Sequence, residues 1–177
     1  MNLTDAKSQE SGQIVSSVGT ALAPKRTVRY AHSYVKFRLG HQWALLPTHQ
    51  VLEAITVPTA SVTPMPNMPA AILGLINRRS QVLWVTDLTL LLGMPAAYLN
   101  SQQYNLVLLQ IGHVLIGLQV QEIEGILSIP PDQICAAPAN IPAGIAPFLQ
   151  GCFLQNNDVV LVLNAEAVLR APALQPR

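Results

Sequence analysis

From Tyr34 onward, apolar and polar positions fall into short β-like runs of strand length. Tyr34 to Leu39 places Lys36 and Arg38 on one face and Val35, Phe37 and Leu39 on the other. Gly40-His41 reads as a tight turn, and Gln42 to Leu46 and Val51 to Val57 follow as strands. Pro58, Pro64, Pro66 and Pro69 then mark a loop, because proline removes a ladder donor. Ala70 to Ile76 is an apolar run of strand length, and Val82 to Val85 reads as a buried strand. Asp87 is placed to cap a short helix through Leu92 that ends at Gly93 and Pro95. Tyr104 to Ile111, Val114 to Val120 and Ile123 to Ile129 are further strands. Pro130, Pro131, Pro138, Pro142 and Pro147 punctuate a second loop region. Phe148 to Leu154 and Val159 to Leu163 close the strand series, and Asn164 caps a helix from Ala165 to Arg170, stopped before Pro172.

The pattern also echoes itself. Leu39-Gly40-His41 followed by Leu52-Glu53-Ala54-Ile55 resembles Ile111-Gly112-His113 followed by Ile123-Glu124-Gly125-Ile126. Unless the echo is coincidence, the domain is two similar small β units packed together. Many short strands with glycine and proline turns fit paired barrels or a sandwich.

The first 29 residues lack this order. They are rich in Ser, Thr, Gln, Gly and Ala. Ile14, Val18 and Leu22 have helical spacing, but Gly12, Gly19 and Pro24 work against a stable helix. The expected organisation is a flexible tail over 1–29, one domain over 30–172 and a short tail over 173–177.

Composition narrows the function classes. Hydrophobic residues make up 50% and charged residues 11% of the chain. A usual charged share is about 25%, so a well-filled core and an apolar surface suited to protein partners are expected. The net charge is +1, with the basic residues concentrated near the N-terminus, and aromatics are 5%. Neither a basic stripe nor a stacking platform for nucleic acid can be assembled from this. No apolar run approaches the length of a membrane-spanning helix, which argues against direct membrane insertion. The N-terminus has no apolar signal-peptide core, and two cysteines make no disulfide framework; both favour the cytoplasm.

Catalytic and metal chemistry find no support. His32, His41, His49 and His113 lack ligand spacing and read as polar turn or edge positions. Gly74, Gly117 and Gly125 are isolated, so no phosphate-cradling loop forms, and no G-x-S-x-G elbow is present. Cys135 sits between prolines without a nearby base, and both Cys135 and Cys152 read as small buried apolar residues. A non-enzymatic protein with no cofactor and no metal is expected.

One charged feature stands out. Between Leu39 and Leu169 the only basic side chains are the adjacent Arg78 and Arg79. Two readings are open: a recognition point using the guanidinium fork, or a solvated turn between two apolar runs.

The stretch from Gly74-Leu75-Ile76-Asn77-Arg78-Arg79-Ser80 through Val85-Thr86-Asp87-Leu88 resembles the signature of CheW-like chemotaxis coupling proteins. That family typically has a glycine, apolar positions, Asn-Leu-Arg-Gly and an apolar strand ending in Asp-Leu. The resemblance extends over about Tyr34 to Ala171. It includes Val51-Leu52-Glu53-Ala54-Ile55, Gly117 to Ile123, Ile134 to Pro138, Phe148-Leu149-Gln150-Gly151 and Leu161-Val162-Leu163-Asn164. Arg78 replaces the family leucine, Ser80 the glycine and Gln121 an aspartate, which marks a divergent member. If the turn uses positive φ at Ser80, that residue is strained.

The resemblance implies an all-β fold of two packed, SH3-like, five-stranded barrels with short helices. It implies a non-catalytic adaptor linking a methyl-accepting chemoreceptor to a CheA-like histidine kinase, in chemotaxis, phototaxis or twitching motility. Glu53, Gly74, Arg79 and Gly151 match family positions implicated in partner contacts. The glycines equally suit turns, Glu53 a solvated strand face, and Arg79 a structural anchor for its loop. Glu53 is expected on an exposed strand surface, with Leu52 and Ile55 packed. An arginine in an apolar position must reach water or a carboxylate, so Arg78 is expected to be exposed and tolerant, and Arg79 to organise the loop or interface. The competing class is a β-barrel module binding a small ligand or nucleic acid, which a basic, aromatic groove would favour.

Overall fold

The computed structural model describes residues 32–96 and 102–175; the tail expected over 1–29 lies outside them. Among the described residues, eleven strands and two short α-helices follow in chain order. The first half contains β1 (Ser33–Leu39), β2 (Gln42–Pro47), β3 (Val51–Pro58), β4 (Ile72–Arg78), β5 (Gln81–Asp87) and α1 (Leu88–Leu91). The second contains β6 (Gln103–Ile111), β7 (Val114–Val120), β8 (Glu122–Ser128), β9 (Ile134–Cys135), β10 (Leu149–Gln155), β11 (Asp158–Leu163) and α2 (Ala165–Leu169).

The strands form a six-stranded sheet in the order β8-β1-β2-β11-β10-β9 and a five-stranded sheet in the order β3-β6-β7-β5-β4. The echo in the sequence is therefore structural. Each half opens with a hairpin, β1–β2 or β6–β7, whose turn holds a glycine at φ near +60°: Gly40 at 59° and Gly112 at 57°. In each half the third strand leaves its own hairpin. β3 pairs with β6, and β8 pairs with β1. A later strand then joins in parallel, β5 beside β7 and β11 beside β2, and brings its own hairpin partner, β4 or β10. Each half ends in a helix capped by a side chain. Asp87 Oδ1 accepts from the Leu90 amide and Asn164 Oδ1 from the Ala167 amide, both at 3.0 Å.

The all-β, two-unit expectation describes this architecture. The extra strand of the larger sheet is the two-residue β9, and its counterpart in the first half is a single bridge between Thr63 and Leu75.

Strand periodicity sorts side chains among three apolar clusters. One fills the five-stranded unit, with Val62, Ile76, Leu83, Val85, Leu106 and Leu108. One fills the six-stranded unit, with Tyr34, Leu45, Ile129, Val160 and Val162. The largest lies between them and draws Val35, Phe37 and Leu39 from one sheet and Val107, Leu109 and Leu118 from the other. Such burial stabilises by about 25 cal/mol per Å² of apolar surface. Ala173 and Leu174 also pack on this central cluster, so ordered packing continues past 172.

Three expectations change. Val82 to Val85 is not buried throughout: Leu83 and Val85 face the interior, while Val82 is 66% exposed, because one face of β5 is uncovered. Leu52 is 51% exposed rather than packed, while Ile55 does pack inward. Unbroken alternation along β3 puts Glu53, not Leu52, in the sheltered row with Val51, Ile55 and Val57. Cys135 is exposed, since β9 is an outer strand; Cys152 is buried as expected.

Candidate functional site

β3 and β4 are the two outer strands of the five-stranded sheet, yet side chains join them. The cause is strand parity. Ile55 and Val57 on β3 and Ile76 on β4 belong to the cluster inside the curled sheet. Glu53 and Arg78 continue those inward rows by two residues, so both emerge where the interior opens to water. There Arg78 Nε donates to Glu53 Oε1 at 2.8 Å and Arg78 Nη2 to Oε2 at 3.2 Å. Arg79 Nη2 adds one bond to Oε2 at 3.1 Å. Side-chain exposure is 18% for Glu53, 39% for Arg78 and 72% for Arg79. The hydrogen bond from Arg78 is the main reason the Glu53 carboxyl titrates below the usual glutamate range, with the nearby positive charges adding to it.

Arg79 and Ser80 form the two-residue turn between β4 and β5, since Arg78 pairs with Gln81. Both have positive φ, 50° and 64°, as the primed hairpin turn requires. Ser80 thus sits where the family glycine is at ease. The matching turn of the second half, between β10 and β11, holds Asn156 and Asn157 at φ 50° and 71°; asparagine tolerates this region better than serine or arginine.

Gly74 and Gly151 lie in strands, not turns, and both are buried. Each follows a register shift in its strand. A Cβ on Gly74 would stand 2.1 Å from the Thr63 carbonyl oxygen, and one on Gly151 would stand 2.5 Å from that of Cys135. The two glycines admit the bridge and the short β9 against their strands. The structure therefore brings Glu53 and Arg79 together and leaves Gly74 and Gly151 beneath the surface.

The six-stranded unit has its own seam. Lys36 Nζ reaches Glu124 on β8 at 2.7 Å and Gln155 on β10 at 2.8 Å, across the Trp43 ring at 4.6 Å from its centroid. Arg38 lies over the same ring at 4.4 Å and pairs with Glu122 at 3.6 Å. Apolar surface is exposed elsewhere: Met68, Trp84, Val114 and Leu174 line a groove of about 930 Å³ beside the C-terminal segment. Among the described residues, no three His, Cys, Asp or Glu side chains group as a metal site, and no helix is long and apolar enough to cross a membrane.

The family description "CheW-like domain" matches residues 33–173. The chain belongs to the CheW-like family. It is 31% identical over 116 residues to the chemotaxis protein CheW of Rhizobium meliloti, covering 66% of this chain and 73% of that protein. It is 29% identical over 121 residues to protein PilI of Pseudomonas aeruginosa, covering 68% of this chain and 66% of that one. Its fold is that of the scaffolding protein TtCheW of Thermoanaerobacter tengcongensis, with a TM-score of 0.69 at 20% identity, covering 81% of this chain and 95% of the other. This CheW-like protein is accordingly a non-catalytic scaffold or adaptor.

Arg78 and Lys36 are the residues that sequence reasoning missed. Parity carried the signal for Arg78, two residues beyond the inward-facing Ile76. For Lys36 the signal was its place on the charged face of an alternating strand together with the echo that matches Glu124 to Glu53.

Proposed function

We propose that this CheW-like protein couples a methyl-accepting chemoreceptor to a CheA-like histidine kinase in the cytoplasm, within a chemotaxis, phototaxis or twitching-motility pathway. The observation that carries the reading is the seam where Glu53, Arg78 and Arg79 meet at the open end of one unit, within a domain matched by the family from 33 to 173. A seam of this kind offers charge to set the register of a partner, while the exposed apolar groove beside Trp84 and Val114 offers area to bury. Arg79 supplies a direct contact, and Glu53 serves the partner surface through the arginines it holds. Gly74 and Gly151 serve the partner surface by letting neighbouring backbone close against their strands. The functional unit spans 30–172 together with Ala173 and Leu174, which pack on its central cluster, and 1–29 is dispensable for folding.

The test is reconstitution with the kinase and a receptor cytoplasmic fragment from the same organism. The adaptor is expected to co-purify with both and to place kinase autophosphorylation under receptor control. Failure to bind either protein sinks the reading. Retention of nucleic acid instead would favour a β-barrel binding module.

A further inference from the structure

Two guanidinium groups meet one carboxylate at this seam. Among the described residues Glu53 is the acid in the ion pairs of both Arg78 and Arg79. Arg78 engages both carboxylate oxygens, through Nε and Nη2. A side-on, two-point contact of this kind fixes orientation as well as charge. Arg79 makes one contact and keeps 72% of its side chain in water. Its backbone is in the turn itself, at the left-handed φ of 50°, so the guanidinium stands at the end of the hairpin. The local balance is one positive charge in excess. Leu52, next to Glu53 in sequence, and Val82, two residues past the turn, are exposed apolar side chains on the outer face of the sheet.

We propose a division of labour: Arg78 is the internal clasp that fixes Glu53 and joins β3 to β4, and Arg79 docks a carboxylate side chain of the protein partner. This rests on the adaptor reading above and names the chemistry of its contact. The complementary surface carries an aspartate or glutamate for Arg79 and apolar side chains that cover the exposed Leu52 and Val82. Arg78 is thus a specificity-determining positioning residue. By holding both oxygens of Glu53, it leaves all but one of the donors of Arg79 for the partner.

Two measurements on the full chain decide this. The first is a double-mutant cycle in denaturant unfolding with Glu53→Gln, Arg78→Leu and Arg79→Ala. Residues 53 and 78 are expected to be coupled, whereas 53 and 79 are expected to be close to additive. If Arg78→Leu does not fold, Arg78→Lys takes its place, since it keeps the charge and loses the fork. The second is affinity for the purified kinase and for the receptor fragment. Arg79→Ala is expected to weaken one of them about tenfold, with the difference shrinking as salt is raised. Arg78→Lys is expected to lower the unfolding midpoint more than Arg79→Ala does. Stronger coupling of 53 to 79 than to 78, or wild-type affinity of Arg79→Ala for both proteins, overturns the assignment. A wild-type chain that binds neither protein removes the adaptor reading and the docking role with it; the cycle then still decides which arginine is the clasp.

Discussion

Arg78 Nε meets Glu53 Oε1 at 2.8 Å and so links the two outermost strands of one sheet. Such a link depends on pH in a definite direction. The carboxyl of Glu53 is held below its ordinary value of 4.5, chiefly by the hydrogen bond from Arg78. A lowered folded-state pKa gives stability that is fully present above the unfolded value and is lost as pH falls through the folded one. The wild-type melting temperature should therefore fall more steeply below about pH 4.5 than that of Glu53→Gln. Parallel acid limbs for the two proteins would show that the clasp contributes nothing to folding.

Ser80 is in the left-handed region at φ 64°. Relief of that conformation should make Ser80→Gly stabilising by about 1 kcal/mol, an upward shift in melting temperature of roughly 3 °C. Thermal unfolding checks it, and an unchanged or lowered midpoint would mean that the serine is not strained there.

Gly74 and Gly151 predict the opposite effect. A methyl group on Gly74 meets the Thr63 carbonyl, with φ at 146° besides, and one on Gly151 meets the Cys135 carbonyl. Backbone oxygens cannot swing aside as a side chain does. Gly74→Ala should cost about 3 kcal/mol and Gly151→Ala about 2 kcal/mol in urea unfolding. Partner binding by the folded fraction separates a packing role from a contact role. Full stability with lost binding would make these glycines surface determinants after all.

The two cysteines should differ in reactivity. Cys135 is exposed, whereas Cys152 is buried and its thiol pKa is raised, first by burial and then by the neighbouring Cys135. A chromogenic disulfide reagent at neutral pH should label one thiol per native chain quickly and the second only on unfolding. Two fast thiols would show that the β9–β10 edge opens readily.

Periodicity made most of this fold readable. β1 was legible from its alternation, β6, β7 and β11 as apolar runs of strand length bounded by turn residues, and the helix caps at Asp87 and Asn164 from a capping side chain just before an apolar segment. β4 was visible only as an apolar run, since Gly74 and a register shift interrupt its period. β9 is two residues long and leaves no pattern. The site was half legible. The family resemblance pointed to Glu53 and Arg79, but it cast Arg78 as a bystander. Arg78 instead holds both oxygens of Glu53, 25 residues away, because the sheet curls far enough to bring its edges together. That curl depends on how all five strands pack, which no local window of sequence contains. Glu53 reads as a residue of an open strand face because it is charged, yet it shares the parity of Ile55 and Val57 and so lies in the sheltered row.

The exchange of third strands, β3 into one sheet and β8 into the other, makes the halves mutually dependent. Cutting the chain near residue 100 would not release two small proteins. Each fragment would carry an orphaned strand and lack one that its own hairpin needs, so neither should fold by itself, and a mixture of the two should regain structure. With the central cluster shared as well, the two units should melt as one cooperative body, so that a disturbance at either seam is felt in both.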